Sequence, residues 1–239
     1  MQRIATYTFF FLWLCCATAH ALETCIVDIR GISPIYENNV RAALSLLHMD
    51  PTAQISEPHI QALAVKGVGE AKTALVPFGY LQPEITVTWQ QSQEQWIVLY
   101  DVVPGQATVV KTLQVLLKGT VTNDPYLKDM SSFHYLHPGD VMNHVLYEQM
   151  KVDLLDEAVR QGYLDARWVQ HEVQISPNLR DAHIYLHLDL GTPYTIESID
   201  INKNYFNTHF LTGFLNVHVG DRYIIENILS TQSRLNSNG

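Results

Sequence analysis

Disulfide chemistry is nearly closed to this chain, because it has only three cysteines, Cys15, Cys16 and Cys25. The first two lie in a leader-like segment, and once that is removed Cys25 has no second thiol with which to pair. Positive charge is also scarce. Lys and Arg total 15 against 24 Asp and Glu, a formal net charge of −9, which is ill suited to neutralising nucleic-acid phosphates. After the first 21 residues there is no apolar run of the roughly 20 residues that carry a helix across a bilayer. Catalytic signatures are missing as well: the sequence has no P-loop, no GxSxG and no HExxH. Gly67-Val68-Gly69 lacks the third glycine and the preceding strand of a nucleotide loop, and it falls inside a helical pattern. The eleven histidines do not assemble a metal site. His183 and His187, four residues apart on one strand, are about 13 Å from each other, too far for one ion with bonds of about 2 Å. His134 and His137 flank a Pro-Gly turn with no obvious carboxylate or thiol beside them, and Asp153, Asp156 and Glu157 read as a solvated helix face. A secreted hydrolase or metalloenzyme needs convergent polar groups, and none converge here. No catalytic residue, metal or cofactor is expected.

What is present begins with an export signal. Met1-Gln2-Arg3 supplies a positive charge, an apolar stretch runs from Phe9 to Ala17, and Ala19-His20-Ala21 offers the small-x-small cleavage pattern. Residues 1–21 are therefore expected to be a signal peptide, cut after Ala21. A lipoprotein anchor is disfavoured because Leu14, Cys15 and Thr24 precede the three cysteines where a small residue is needed. Export without a disulfide framework suits a bacterial periplasm. The remaining chain, about 218 residues with 47% hydrophobic content overall, is long enough for two or three modules with ordinary cores.

Those modules are visible as repeats. In the middle copy Val109–Lys118 is an apolar strand ending at Gly119, and Asp124-Pro125 opens a short helix. His137-Pro138-Gly139-Asp140 is a turn, with Asp140 expected to cap a longer helix from Val141. Leu146, Met150, Leu154 and Ala158 form its apolar stripe, and Gly162 ends it. Tyr163-Leu164 leads into a strand over Arg167–Ile175, with Val169, His171, Val173 and Ile175 expected on one face. A return strand puts Ile184, Leu186, Leu188 and Leu190 on one side and His183, Tyr185, His187 and Asp189 on the other, closing at Gly191. The first copy has the same order: a strand over Cys25–Ile29 before Gly31, a helix over Asn39–Leu47, and a helix opened by Ser56-Glu57-Pro58. An exit at Gly79-Tyr80-Leu81 and a hairpin of Glu84–Trp89 and Gln95–Val103 complete it. A third copy starts after Gly191, with Ile196, Ile199 and Ile201 in a strand, Asn202–Asn204 in a turn and a short helix over Thr208–Phe214. Val219-Gly220-Asp221 then precedes a helix over Ile225–Leu235. It lacks the hairpin.

The β-α-α-β-β order, the Gly139-Asp140 before the second helix, and the exits Gly79-Tyr80-Leu81 and Gly162-Tyr163-Leu164 resemble POTRA domains. These are the periplasmic modules of the outer-membrane barrel-assembly superfamily. The segments Asn39–Leu44 and Gly79–Pro83, and the count of three, are most similar to its TamA-like branch. The resemblance implies an α+β fold of tandem modules over 22–104 and 105–191 and an incomplete one over 192–239. Each module would be a three-stranded mixed sheet with two helices on one face. Gly31, Gly79, Tyr80, Gly119, Gly139, Asp140, Gly162, Tyr163 and Gly191 are its expected structural positions. It also implies an exposed edge at the middle strand of each module, where another chain can add as an extra strand. That points to Thr86, Val87, Thr88 and Trp89, and to Trp168, Val169, Gln170, His171 and Glu172. Thr86/Thr88 and Trp168/Gln170/Glu172 are expected to flank the guest. The implied partners are unfolded outer-membrane proteins and a TamB-like inner-membrane-anchored protein, as in autotransporter assembly, with outer-membrane attachment only through a barrel this sequence does not encode. A truncated reading frame or N-terminal fragment is the expectation for that reason. The arm of a two-partner-secretion transporter or of the main barrel-assembly protein, and a free-standing periplasmic adaptor, remain open alternatives.

Overall fold

In a computed structural model the described residues are 24–50, 56–92, 95–120, 124–200, 213 and 215–237. The expected signal peptide with Ala19 and Ala21 lies outside them, as do Ile201, Asn202–Asn204 and all of the expected Thr208–Phe214 helix except Gly213.

The first unit runs β1 (Thr24–Arg30), α1 (Pro34–Ala43), α2 (Glu57–Leu75), β2 (Glu84–Ser92) and β3 (Gln95–Val103), with 3-10 turns over Ser45–His48 and Val76–Phe78. Its sheet has the order β1-β3-β2; β1 lies parallel to β3 and β2 antiparallel to it. The alternation of β3 decides which face is covered. Trp96, Val98, Tyr100 and Val102 are buried against Val40, Leu44, Ile60, Ala64, Ala71 and Leu75 of the helical layer. Gly67 lets α2 approach closely: a Cβ there would overlap the Tyr100 hydroxyl and come within 3.0 Å of Leu44. The Tyr100 hydroxyl donates to the Ala64 carbonyl at 3.1 Å, and burial, with the nearby Glu70 and Cys25 charges, pushes its pKa up to about 12.

The second unit repeats the order: β4 (Val109–Gly119), a 3-10 stretch over Pro125–Phe133, α3 (His144–Arg160), β5 (Arg167–Ile175) and β6 (Asp181–Gly191). The sheet is β4-β6-β5, parallel then antiparallel. Ile184, Leu186, Leu188 and Leu190 are buried with Met150, Leu154 and Ala158, as the alternation predicts. After Gly191, Thr195 makes an isolated bridge with Arg222, and α4 spans Ile225–Ser237.

Three local expectations need correction. Helix α1 starts at Pro34 rather than Asn39, because proline's fixed φ suits a first helical position behind Ser33, and Leu44 at its C-cap is extended (ψ 112°). Asp140 does not cap α3. Asn143 does, accepting from the Val145 and Leu146 amides at 2.9 and 3.3 Å, while Asp140 closes its own turn by accepting from the His137 amide at 2.7 Å. That later start rotates the stripe, so Tyr147 is buried and Leu146 is left 37% exposed. In the segment after Gly191, residues 196–200 form no strand.

Candidate functional site

Among the described residues both strands singled out as edges lie at sheet margins, because β2 pairs only with β3 there and β5 only with β6. In β2 the register runs without a break from Glu84–Val103 to Ser92–Gln95. Ile85, Val87 and Trp89 are half-buried toward the helical layer, and Thr86 and Thr88 are exposed on the open face. This matches the expected division of that strand and leaves nine residues of regular backbone along one margin.

Strand β5 is different. Its register jumps between Trp168↔Leu188 and Gln170↔His187, so Val169 is an extra residue, a β-bulge. The bulge reverses the expected faces at this end. Trp168, opposite buried Leu188, packs half-buried on the helical side together with Val173, whereas Val169 is 58% exposed. His171 pairs opposite Leu186 and is exposed; Gln170 and Glu172 lie on the open face opposite His187 and Tyr185. There Gln170 Nε2 and Gln174 Nε2 both donate to Glu172 Oε1, at 2.6 and 3.1 Å. Of the expected flanking set, Gln170 and Glu172 stand on the open face and Trp168 does not.

The expected structural positions converge on two junctions built alike. Gly79 and Gly162 both take the left-handed region, with φ of +82° and +89°, which favours glycine. A Cβ on Gly79 would also lie 2.6 Å from the Met142 carbonyl, and one on Gly162 would overlap the Tyr223 carbonyl. The Gly79 carbonyl accepts from the Thr108 amide at 2.8 Å, and the Thr108 carbonyl from Met142 at 2.8 Å. At the second junction the Gly162 carbonyl accepts from Tyr194 at 2.8 Å, and the Tyr194 carbonyl from Tyr223 at 2.9 Å. Gly139 donates to the Val110 carbonyl, and Val110 to that of Asp140, both at 2.8 Å; Gly220, Ile196 and Asp221 repeat this pair of bonds at 2.8 Å each. The Asp140 carboxylate accepts from the His137 amide at 2.7 Å, and that of Asp221 from His218 at 2.7 Å. Gly31, Gly139 and Gly191 have positive φ as well, while Gly119 is a close-approach position, its Cβ site 3.1 Å from that of Leu190.

The exit tyrosines are used differently. Tyr80 packs edge-on to Tyr36 at 5.4 Å. The Tyr163 hydroxyl donates to Asp124 Oδ2 at 2.6 Å, and Arg222 Nη1 meets the same oxygen at 2.5 Å. Asp124 Oδ1 accepts from the Tyr126 amide at 2.9 Å, the N-cap role expected of it. Burial works to raise the Asp124 pKa, but the bonds from Tyr163, Arg222 and Tyr126 and the guanidinium charge outweigh it and hold the carboxyl below its ordinary value. Nothing in the sequence pairs Asp124 with a residue 98 positions away.

Among the described residues no group of three or more His, Cys, Asp and Glu side chains is placed to hold a metal, and no helix is long and apolar enough to cross a membrane.

Two three-stranded mixed sheets, each with helices on one face and with the middle strand in sequence at the margin, make this an α+β fold of repeated modules. The first unit has the more particular likeness: residues 26–104 match the family model described as POTRA domain TamA domain 1. Similar solved structures include POTRA3-5 of BamA from Haemophilus influenzae, 14% identical over 92% of this chain and 86% of that one, with a TM-score of 0.43. POTRA1-3 of Omp85 from Anabaena is 16% identical over 91% of this chain and 84% of that one, with a TM-score of 0.32. The assignment of the fold rests on the strand order and register above and on the family match.

Proposed function

We propose that this chain is the periplasmic arm of an outer-membrane protein assembly factor similar to TamA, divided as 22–104, 105–191 and a third segment over 192–239. It acts by accepting extended segments at its sheet edges, with no chemical step. The observation that carries this reading is β2, a regular nine-residue strand paired on one side only. The unpaired N–H and C=O groups of such an edge are a template for one more strand. A guest laid along β2 would set alternate side chains beside Ile85, Val87 and Trp89, and the others beside Thr86 and Thr88. Guests that alternate apolar and polar residues fit that margin, and transmembrane barrel strands alternate in this way. On the same reading β5 is the second edge, and a TamB-like protein of the inner membrane and unfolded autotransporter-type substrates are the partners.

The test is a titration of the isotope-labelled chain with a synthetic ten-residue peptide of alternating Val/Tyr and Thr/Gln, followed by amide chemical shifts. Shifts concentrated along residues 84–92, with new protection of outward amides there, are the expected result. Shifts confined to the helices or to β1 and β4, or none at millimolar peptide, would refute edge binding.

A further inference from the structure

The two junctions share their backbone bonds and differ in their side chains, above all at one position. In the paired positions, Met142 corresponds to Tyr223 and Asp140 to Asp221, so Val141 of the first junction stands where the second has Arg222. Val141 is 41% exposed and carries no charge; its Cγ1 lies 3.1 Å from the Cβ site of Gly79. Arg222 reaches back across the joint. Its Nε donates to the Gln161 carbonyl at 2.6 Å, and Nη1 meets Asp124 at 2.5 Å with side-chain exposures of 13% and 1%. The guanidinium is stacked between two rings, 4.6 Å from the centroid of Tyr126 and 4.7 Å from that of Tyr163.

We infer that the second junction is a locked joint and the first a hinge: Arg222 fixes the segment after Gly191 onto the second unit, whereas the first and second units meet through the Thr108-to-Gly79 backbone bond and the packing of the Val76–Phe78 turn on α3, which can open. The asymmetry follows from what opening exposes. Parting the first junction returns to water the one backbone bond given across it, from the Thr108 amide to the Gly79 carbonyl, which is replaced there at little net cost. Parting the second does the same and also strips a buried carboxylate of its counter-charge. Asp124 is anchored in the second unit by Tyr163 and the Tyr126 amide, so it stays buried while Arg222 leaves. A buried charge without its partner is strongly disfavoured. Arginine suits this place because a planar guanidinium can stack on two rings while it hydrogen-bonds edgewise. The consequence for an arm of this kind is directional. Reorientation is concentrated between β3 and β4, and the second unit and α4 turn together.

Amide hydrogen exchange on the full chain reads this directly. In the unaltered protein the amide of Tyr194 is expected to exchange roughly 10- to 100-fold more slowly than its counterpart Thr108, the range that hydrogen bonds to charged groups imply. Arg222→Met, which keeps the stem and removes the charge, should erase that difference while amides of the β4-β6 ladder keep their rates. Equal rates at the two junctions before any substitution would overturn the inference, and so would unchanged Tyr194 protection in Arg222→Met. The comparison within the unaltered chain needs no variant, so a variant that failed to fold would leave it decisive.

Discussion

At Asp124 two opposing effects meet in one carboxyl: burial disfavours its charge, and three donors with one guanidinium favour it. The net lowering fixes the sign of the pH dependence. A group whose folded pKa lies below its unfolded value adds stability that is complete above the unfolded value, here near 3.8, and that is lost as pH falls through the folded one. Acid titration should therefore weaken the Arg222–Asp124 tie only as the carboxyl is protonated at acid pH, never as pH rises; amide exchange at Tyr194 follows it. Asp124→Asn leaves Arg222 buried without a counter-charge and should cost on the order of 3 kcal/mol in urea unfolding. The glycines of α2 make a sharper pair. Gly67→Ala forces a methyl into the Tyr100 hydroxyl, and should destabilise by about 1–3 kcal/mol. Gly69 has nothing within 4 Å of its Cβ site, so Gly69→Ala should stabilise by up to about 1 kcal/mol, the helix-propensity difference. Equal melting shifts for the two would contradict the placement of α2.

The elements themselves were largely legible, because period-2 and period-3.6 patterns report which side of a strand or helix is covered. Strands β4, β5 and β6 and the long reach of α2 follow from the apolar spacing alone. The misses share a physical cause, since each turns on the position of one residue within a repeat. Asp140 and Asn143 are both good caps, and a pattern cannot say which one faces the first amides. Choosing the earlier one rotated the stripe onto Leu146 in place of Tyr147. At β5, strict alternation from Ile175 backwards reaches Val169, and only the adjacent apolar pair Trp168-Val169 hints that a bulge shifts the phase. The Arg222–Asp124 pair was invisible, because contacts between distant positions leave no local period. The corrected stripe is testable. Leu154→Asp puts a charge at a fully buried position and should unfold the second unit, while Leu146→Asp, at the exposed rim, should move the melting temperature by little. If both unfold it, the rotation given for α3 is wrong.

Over the whole molecule, stability is divided between two cores that share no buried residue, one from Val27 to Val102 and one from Val110 to Leu190. Each sheet closes within its own unit, and the units meet at the Thr108-to-Gly79 backbone bond and where the Val76–Phe78 turn packs on α3. Coupling through one backbone bond and so small a contact is weak compared with the cohesion of either core. A local loss should therefore stay local. Leu44, fully buried between α1 and α2 in the first core, offers the cleanest probe, since Leu44→Ala should cost about 2–5 kcal/mol through lost burial and a cavity. Trp89 and Trp96 belong to the first unit, and Trp168 reports on the second. In Leu44→Ala with Trp168→Phe, fluorescence should show the first unit melting several degrees earlier. In Leu44→Ala with Trp89→Phe and Trp96→Phe, the Trp168 transition should stay where it is with intact Leu44. A single transition that moves as one in both backgrounds would mean that the clamp at Gly79 couples the units as tightly as a shared core; the hinge assigned to that junction would then be untenable.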